Sequence, residues 1–168
     1  CDRMLPLETC AGLALRANQR CYTMGIALEP GASVDSQKPS FRLGADDMEI
    51  GVGVHGERGI ARAPLASADG AADLIVDRIL DEMRPAEGDR VALLVNSLGG
   101  TPKMELYILN RRLRERLRAR GVQVHRTLIG HYYTSLDMAG VSITALHLDE
   151  ELTALIDPPC HSPAWTQP

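Results

Sequence analysis

RVALLVNSLGGTPKMELYILNRRL, residues Arg90 to Leu113, decides how the chain is read. It opens with a continuous apolar run of strand length, the pattern of a strand covered on both faces. The chain then turns on Gly99 and Gly100, and Thr101-Pro102 supplies a helix start. Thr101 is expected to cap, and a proline at the first helical position needs no N–H there. Met104, Ile108, Leu109, Leu113 and Leu117 fall at helical spacing and predict one apolar face, ended by Gly121. A buried strand running through a glycine turn into a capped helix indicates an α/β fold.

Further elements extend outward from this unit. Downstream, VQVHRTLIG predicts a strand with Val122, Val124, Arg126 and Leu128 on one face and Gln123, His125, Thr127 and Ile129 on the other. HYYTSLDMAG is a loop, VSITALHL a half-exposed strand, and Asp149 caps a short helix. Residues 158–168 read as an extended proline-rich tail. Upstream, Leu5 to Gln19 is a helix with a loose apolar stripe, Cys21 to Gly31 a strand, and Glu49 to Val54 a short strand. Ser, Ala and Gly residues near 66–70 precede a helix with Leu74, Ile75, Ile79, Leu80 and Met83 on one face. Asp73, Asp77, Asp81 and Glu82 lie away from that face. The alternation predicts one domain over 1–168, an α+β sandwich whose mixed β-sheet is flanked by helices.

Composition limits the function. Net charge is −4, so Arg111, Arg112, Arg114, Arg116, Arg118 and Arg120 read as a solvated helix end opposing the helix dipole, not a nucleic-acid surface. With one Phe and one Trp the core must be aliphatic. Cys1, Cys10, Cys21 and Cys160 form no C-x-x-C pair and read as reduced cytosolic thiols. No apolar run approaches membrane-spanning length and no signal-like segment is visible, so a cytoplasmic location is expected. The chain starts on Cys, which suggests a domain cut from something longer.

The stretch MEIGVGVHGERG contains a literal G-x-G-x-x-G at Gly51, Gly53 and Gly56. A dinucleotide loop needs a helix opening at its third glycine, where N–H groups meet the pyrophosphate. Here Glu57, Arg58, Gly59 and then Pro64 follow, with no helical pattern, so the fingerprint fails and an NAD-dependent oxidoreductase is disfavoured. His55 sits among those glycines, which suit a presented, exposed ring. The loop NSLGGTP could offer helix N-terminal N–H groups to an anion or carbonyl, or could simply be a tight turn. His125 and His147 lie inside strands and suggest structural roles, while no histidine has zinc-ligand spacing, so no metal site is expected.

Together MEIGVGVHGERG, LVNSLGGTPKMELYILNRRL and YTSLDMAGVSITALHLDEEL resemble the dihydroxyacetone kinase family, in particular the C-terminal domain of its substrate-binding K subunit. The resemblance runs from near Cys10 to Trp165. It implies that His55 binds dihydroxyacetone, or a related short ketose such as erythrulose, covalently as a hemiaminal. It implies a homodimer and a nucleotide-binding L-type partner, subunit or domain, that carries ATP and Mg, or ADP in a phosphotransferase relay. No cofactor is expected on this chain itself. Two departures stand out. Arg58 replaces the family's usual proline, and the first K domain, with its S-G-H-E-P loop and aspartate motif, is absent. The alternative within the family is a non-catalytic, ligand-sensing co-regulator. The chain by itself is therefore expected to show no kinase activity, and ATP turnover with dihydroxyacetone by the isolated 168 residues is the measurement that checks it.

Overall fold

A computed structural model describes residues 3–32, 39, 41–54, 57–163 and 165–167. The elements in chain order are α1 (Leu7–Gln19), β1 (Cys21–Ala27), β2 (Asp47–Ile50), β3 (Ala61–Pro64), α2 (Ala68–Met83) and β4 (Arg90–Ser97). They continue with α3 (Lys103–Ala119), β5 (Gln123–Gly130), β6 (Gly140–Leu148), α4 (Glu150–Ile156), β7 (Cys160–His161) and β8 (Thr166–Gln167). Six strands form one mixed sheet in the order β3-β2-β1-β6-β4-β5, with β4 and β5 parallel and the other pairs antiparallel. This is the mixed sheet with flanking helices that the sequence predicts.

The core lies between one sheet face and the pair α2 and α3. Ile75, Val76, Ile79 and Leu80 of α2 and Leu106, Leu109, Leu113 and Leu117 of α3 pack on Ile26, Val91, Leu93, Val95, Val141 and Ile143. Branched aliphatic side chains standing off a pleated sheet suit this packing, and no aromatic residue is needed at its centre. The opposite sheet face is covered in two patches. At one end Leu148 and Leu152 pack with Ala92, joined by Ala17 of α1 and Ile156 of α4. At the other, loops rather than helices supply the cover: Val52, Leu98, Met138 and Phe41 pack on Ala27.

Several expectations are corrected. VSITALHL is not half-exposed: β6 lies between β1 and β4, and Ser142 is buried along with Val141, Ile143 and Ala145. The strand predicted at 49–54 ends at Ile50, and β3, hidden in the unpatterned stretch after Gly59, was not expected. Met104 and Ile108 are 76% and 44% exposed, because the buried α3 stripe is Leu106, Leu109, Leu113 and Leu117. Thr101 does not cap α3. Pro102 takes the cap position, and the Thr101 hydroxyl instead donates to the Gly140 carbonyl (2.8 Å) and accepts from the Gly140 N–H (2.9 Å). The apolar stripe of α1 contributes no buried residue, although Ala17 packs partly against the α4 cluster.

A bulge corrects the β5 alternation. The register shifts between Val91 and Ala92, so Val91 pairs with Val124 but Ala92 with Arg126. The extra residue, His125, reverses the faces beyond it, and Val124 and Ile129 therefore both pack on the main core. His125 Nε2 and Arg126 Nη2 can then both reach Asp157 Oδ1, at 2.7 and 3.5 Å. The segment read as an extended tail carries the β7–β8 ribbon, and the Gln167 amide donates to the carbonyls of Ile156, Asp157 and Pro158 at the end of α4.

Three of the α3 arginines, Arg111, Arg112 and Arg116, form a ladder with α2 and are not merely solvated. Arg112 donates twice to Asp73 (2.8 Å each), Arg116 reaches Asp73 and Asp77, and Arg111 reaches Asp69 and Glu115. The Arg112 hydrogen bond, aided by Arg116, holds the Asp73 carboxyl below its ordinary 3.8. A depressed carboxyl contributes stability above its unfolded pKa and loses it as pH falls through the folded value. Asp73→Asn should therefore lower Tm at neutral pH by about 2–4 °C. The gap to wild type should narrow in high salt and close as pH drops below 3.8 in thermal melts.

Candidate functional site

The three quoted motifs meet at one end of the sheet. Ile26 and Ala27, successive residues of β1, point to opposite faces, so Ile26 joins the α2–α3 core and Ala27 the loop-covered patch. On that patch Val52 comes from the glycine-rich stretch, Leu98 from NSLGGTP and Met138 from YTSLDMAG. Fully buried Leu98 and Met138 seat the loops together.

The NSLGGTP loop is a tight structural turn. Ser97 Oγ donates to the Thr101 carbonyl (2.8 Å) and accepts from the Gly99 N–H (3.1 Å), while Gly100 N–H donates to Met138 O (2.8 Å). Gly99 has φ +136°, and a Cβ there would overlap the Leu136 carbonyl. Glycine is required because the 136–139 backbone passes so close. Asn96, fully buried, fastens the neighbouring loop: its Oδ1 accepts from the N–H of Tyr132 (2.8 Å) and Tyr133 (3.2 Å). Its Nδ2 donates to Tyr133 O (2.8 Å) and Ser142 Oγ (3.2 Å). The sequence reading missed Asn96, since an asparagine ending an apolar run looks like the start of the turn.

The glycine-rich loop leaves β2 at Gly51 and returns at β3. Gly51 N–H donates to Gly25 O (2.7 Å) and Ile60 N–H to Ile50 O (2.8 Å). Gly51 adopts φ +78°, and a Cβ on Gly25 would lie 2.7 Å from Val52 O. Gly25 and Gly51 give close backbone passage, and among the described residues the next element is β3 and not the helix that a dinucleotide fingerprint needs. His55 and Gly56 lie outside the described residues. Beneath the loop, Glu49 of β2 is 1% exposed and bonds to Arg62 Nε (2.7 Å) and Gly59 N–H (3.2 Å). Nothing in the sequence marked Glu49, because its partner Arg62 sits on a strand that the sequence did not reveal.

Two further histidines pair with aspartates: His125 Nε2 with Asp157 Oδ1 at the C-terminal end of α4, and His147 Nε2 with Asp89 Oδ2 at 2.9 Å just before β4. Among the described residues no three His, Cys, Asp or Glu side chains are placed to hold a metal ion. Cys10, Cys21 and Cys160 are free, and burial pushes the Cys21 thiol up. No described helix is long and apolar enough to cross a membrane. A cleft of about 260 Å³ opens by the N-termini of α2 and α3, lined by Leu28, Ala71, Thr101, Ile108, Gly140 and Val141 among others.

Residues 1–164 match the Dak1 domain, so the chain belongs to the Dak1 domain family. It is 41% identical, over 95% of its length and 48% of the relative's, to the dihydroxyacetone-binding subunit DhaK of PTS-dependent dihydroxyacetone kinase 2 of Listeria innocua. Against the corresponding DhaK subunit of the PEP-dependent kinase of Escherichia coli, identity is 41% over 94% of this chain and 51% of the relative. Among solved structures, a dihydroxyacetone kinase operon co-activator, DhaQ, superposes with TM-score 0.85 at 30% identity, covering 92% of this chain and 48% of that one. The dihydroxyacetone kinase of C. freundii with AMP-PNP and Mg2+ superposes with TM-score 0.79 at 27% identity over 98% of this chain and 30% of that one. The chain thus spans about half the length of the curated DhaK relatives it matches.

The Asn96 bonds make a direct prediction. Asn96→Ala leaves the part-buried N–H groups of Tyr132 and Tyr133 without their acceptor and should cost about 1–3 kcal/mol, seen as a lower urea midpoint in chemical denaturation.

Proposed function

We propose that this chain is the ketose-capturing part of a dihydroxyacetone or short-ketose kinase, with His55 as the capturing group. The observation that carries the reading is 41% identity, over nearly the whole chain, to subunits named as dihydroxyacetone-binding. A relative named L-erythrulose kinase, 35% identical over 91% of this chain, supports a short ketose as the substrate class.

In the proposed step a neutral imidazole nitrogen of His55 forms a C–N bond to the ketose carbonyl carbon. The carbonyl π pair moves to oxygen, which takes up a proton as the ring releases its own, giving a neutral hemiaminal. Covalent capture admits ketones and aldehydes and rejects glycerol, which has no carbonyl. It also holds a small, strongly hydrated molecule in one orientation for transfer to its terminal hydroxyl. The phosphoryl group comes from ATP with Mg, or from ADP in a phosphotransferase relay, on a nucleotide-binding L-type subunit or domain. A first K domain completes the substrate site, the assembly is a homodimer, and it works in the cytoplasm.

The superposition with the DhaQ co-activator supports a second reading, a ligand-sensing co-regulator using the same capture without phosphoryl transfer. Phosphorylation of dihydroxyacetone on adding the nucleotide-binding partner to the complete protein separates the two. The capture itself is tested by His55→Ala in the complete protein, incubated with dihydroxyacetone without reductant. Intact-mass spectrometry should show the adduct on wild type and none on the variant, and an unchanged adduct overturns the assignment.

A further inference from the structure

We propose that Glu49 is a positioning residue, whose buried carboxylate ties together the two limbs of the glycine-rich stretch whose sequence carries His55, and that capture by His55 depends on this tie. Its chemical consequence rests on the capture reading above, whereas the clamp itself stands on geometry. Glu49 lies on β2, two residues before the loop begins, and pairs across the sheet with Ala27 and Arg62. One carboxylate oxygen accepts from the Gly59 N–H at 3.2 Å and the other from Arg62 Nε at 2.7 Å. Arg62 is held in turn, since its Nη2 donates to Arg42 O at 2.6 Å. The outgoing limb of the loop is thereby tied to the strand that launches the incoming limb.

The fit at the tie point is close. A Cβ on Gly59 would overlap the Ile50 carbonyl and come within 2.9 Å of the Glu49 side chain. Only glycine lets that backbone N–H reach the carboxylate. Arg58 Nε stands 3.9 Å from the same carboxylate but is 71% exposed, so it adds long-range attraction at most. Burying a carboxylate is not an efficient way to stabilise a fold, because a well-packed apolar pair serves stability as well or better. What an ion pair with a directed backbone bond adds is a fixed geometry. Both Glu49 oxygens are engaged by the clamp, so the group is assigned no proton transfer, and its loss should weaken capture without moving the pH dependence of capture.

The test uses Glu49→Gln, Arg62→Lys and His55→Ala in the complete protein, each confirmed folded by its thermal melt. Hydrogen–deuterium exchange of residues 50–60 and intact-mass titration with dihydroxyacetone over a pH series are then measured. For Glu49→Gln, exchange at Gly59 and its neighbours should quicken by about tenfold or more, with β1, β4 and β6 unchanged. Half-saturation of capture should rise by about tenfold with the same pH midpoint, and Arg62→Lys should retain part of the wild-type behaviour. Exchange unchanged in Glu49→Gln, or quickened evenly through the sheet, overturns the clamp. A loosened loop with wild-type capture overturns the positioning role and leaves the capture reading intact. Failure of wild type to form an adduct, or an adduct that survives in His55→Ala, overturns the capture reading and with it the positioning role, while the exchange data still decide the clamp.

Discussion

The rest of the structure depends on β6 being hydrogen-bonded along both of its edges. It runs antiparallel to β1 on one side and to β4 on the other, and so it begins where both of them end. Gly140, its first residue, pairs with Ala27, and its carbonyl accepts from Leu98 N–H. A Cβ at Gly140 would stand 2.5 Å from Ile26 O. That junction brings the segments after β1 and β4 and before β6 into contact, so loops remote in sequence share one patch. The same strand divides its side chains by face: Val141, Ile143 and Ala145 complete the aliphatic core, while Ser142 and Thr144 serve the other side.

That other side explains why polar groups are buried here. α1 and α4 cover only one end of it, tied together by Arg16 with Glu151 and by Arg3 with the Ala154 carbonyl. At the other end loops must supply the cover, and a loop over a sheet carries backbone N–H and C=O groups that need partners. Asn96 meets that demand for the 132–133 segment and Glu49 for Gly59. Each is a side chain standing in for a missing strand or helix. Such positions are sensitive to substitution, because removing the side chain leaves the backbone group buried and unpaired.

How far the fold could be read in the sequence follows from the same division. Elements whose periodicity is local were legible: α2, β4 and α3, the Asp149 cap on Leu152 N–H, and the glycine stop at Gly121 with φ +73°. What escaped depends on distant partners. The bulge at His125 exists because β5 must match β4, and no feature of VQVHRTLIG declares it. The arginines on α3 read as solvated because their acids lie about 40 residues away on α2, Asp73 for Arg112 and Asp77 for Arg116. β3 carries only Ala, Arg, Ala and Pro, too short and too mixed to show alternation, and with it went any sign of Arg62 beneath the loop. For the site, the failure of the dinucleotide fingerprint was legible because it needed only an absent helix. The Glu49 clamp was not, because it is an agreement between two strands.

The clamp also bears on Arg58, which stands where the resemblance leads one to expect proline. Proline would stiffen this limb by fixing φ and by narrowing the unfolded ensemble, an effect of about 0.4–1 kcal/mol where the backbone suits it. Arginine gives up that restriction and places a second guanidinium near the Glu49 carboxylate, 3.9 Å away. An exposed cation near a carboxylate contributes on a similar scale, about 0–1 kcal/mol, but through a field that salt screens. Arg58 therefore lacks proline's covalent restraint, which is indifferent to ionic strength, and offers at most a weak electrostatic one that depends on it. The glycines that free this loop and the carboxylate that holds it are thus complementary parts of one arrangement. In this chain the outgoing limb is held by the Glu49 bonds to Gly59 N–H and Arg62 Nε, to which the exposed Arg58 adds little.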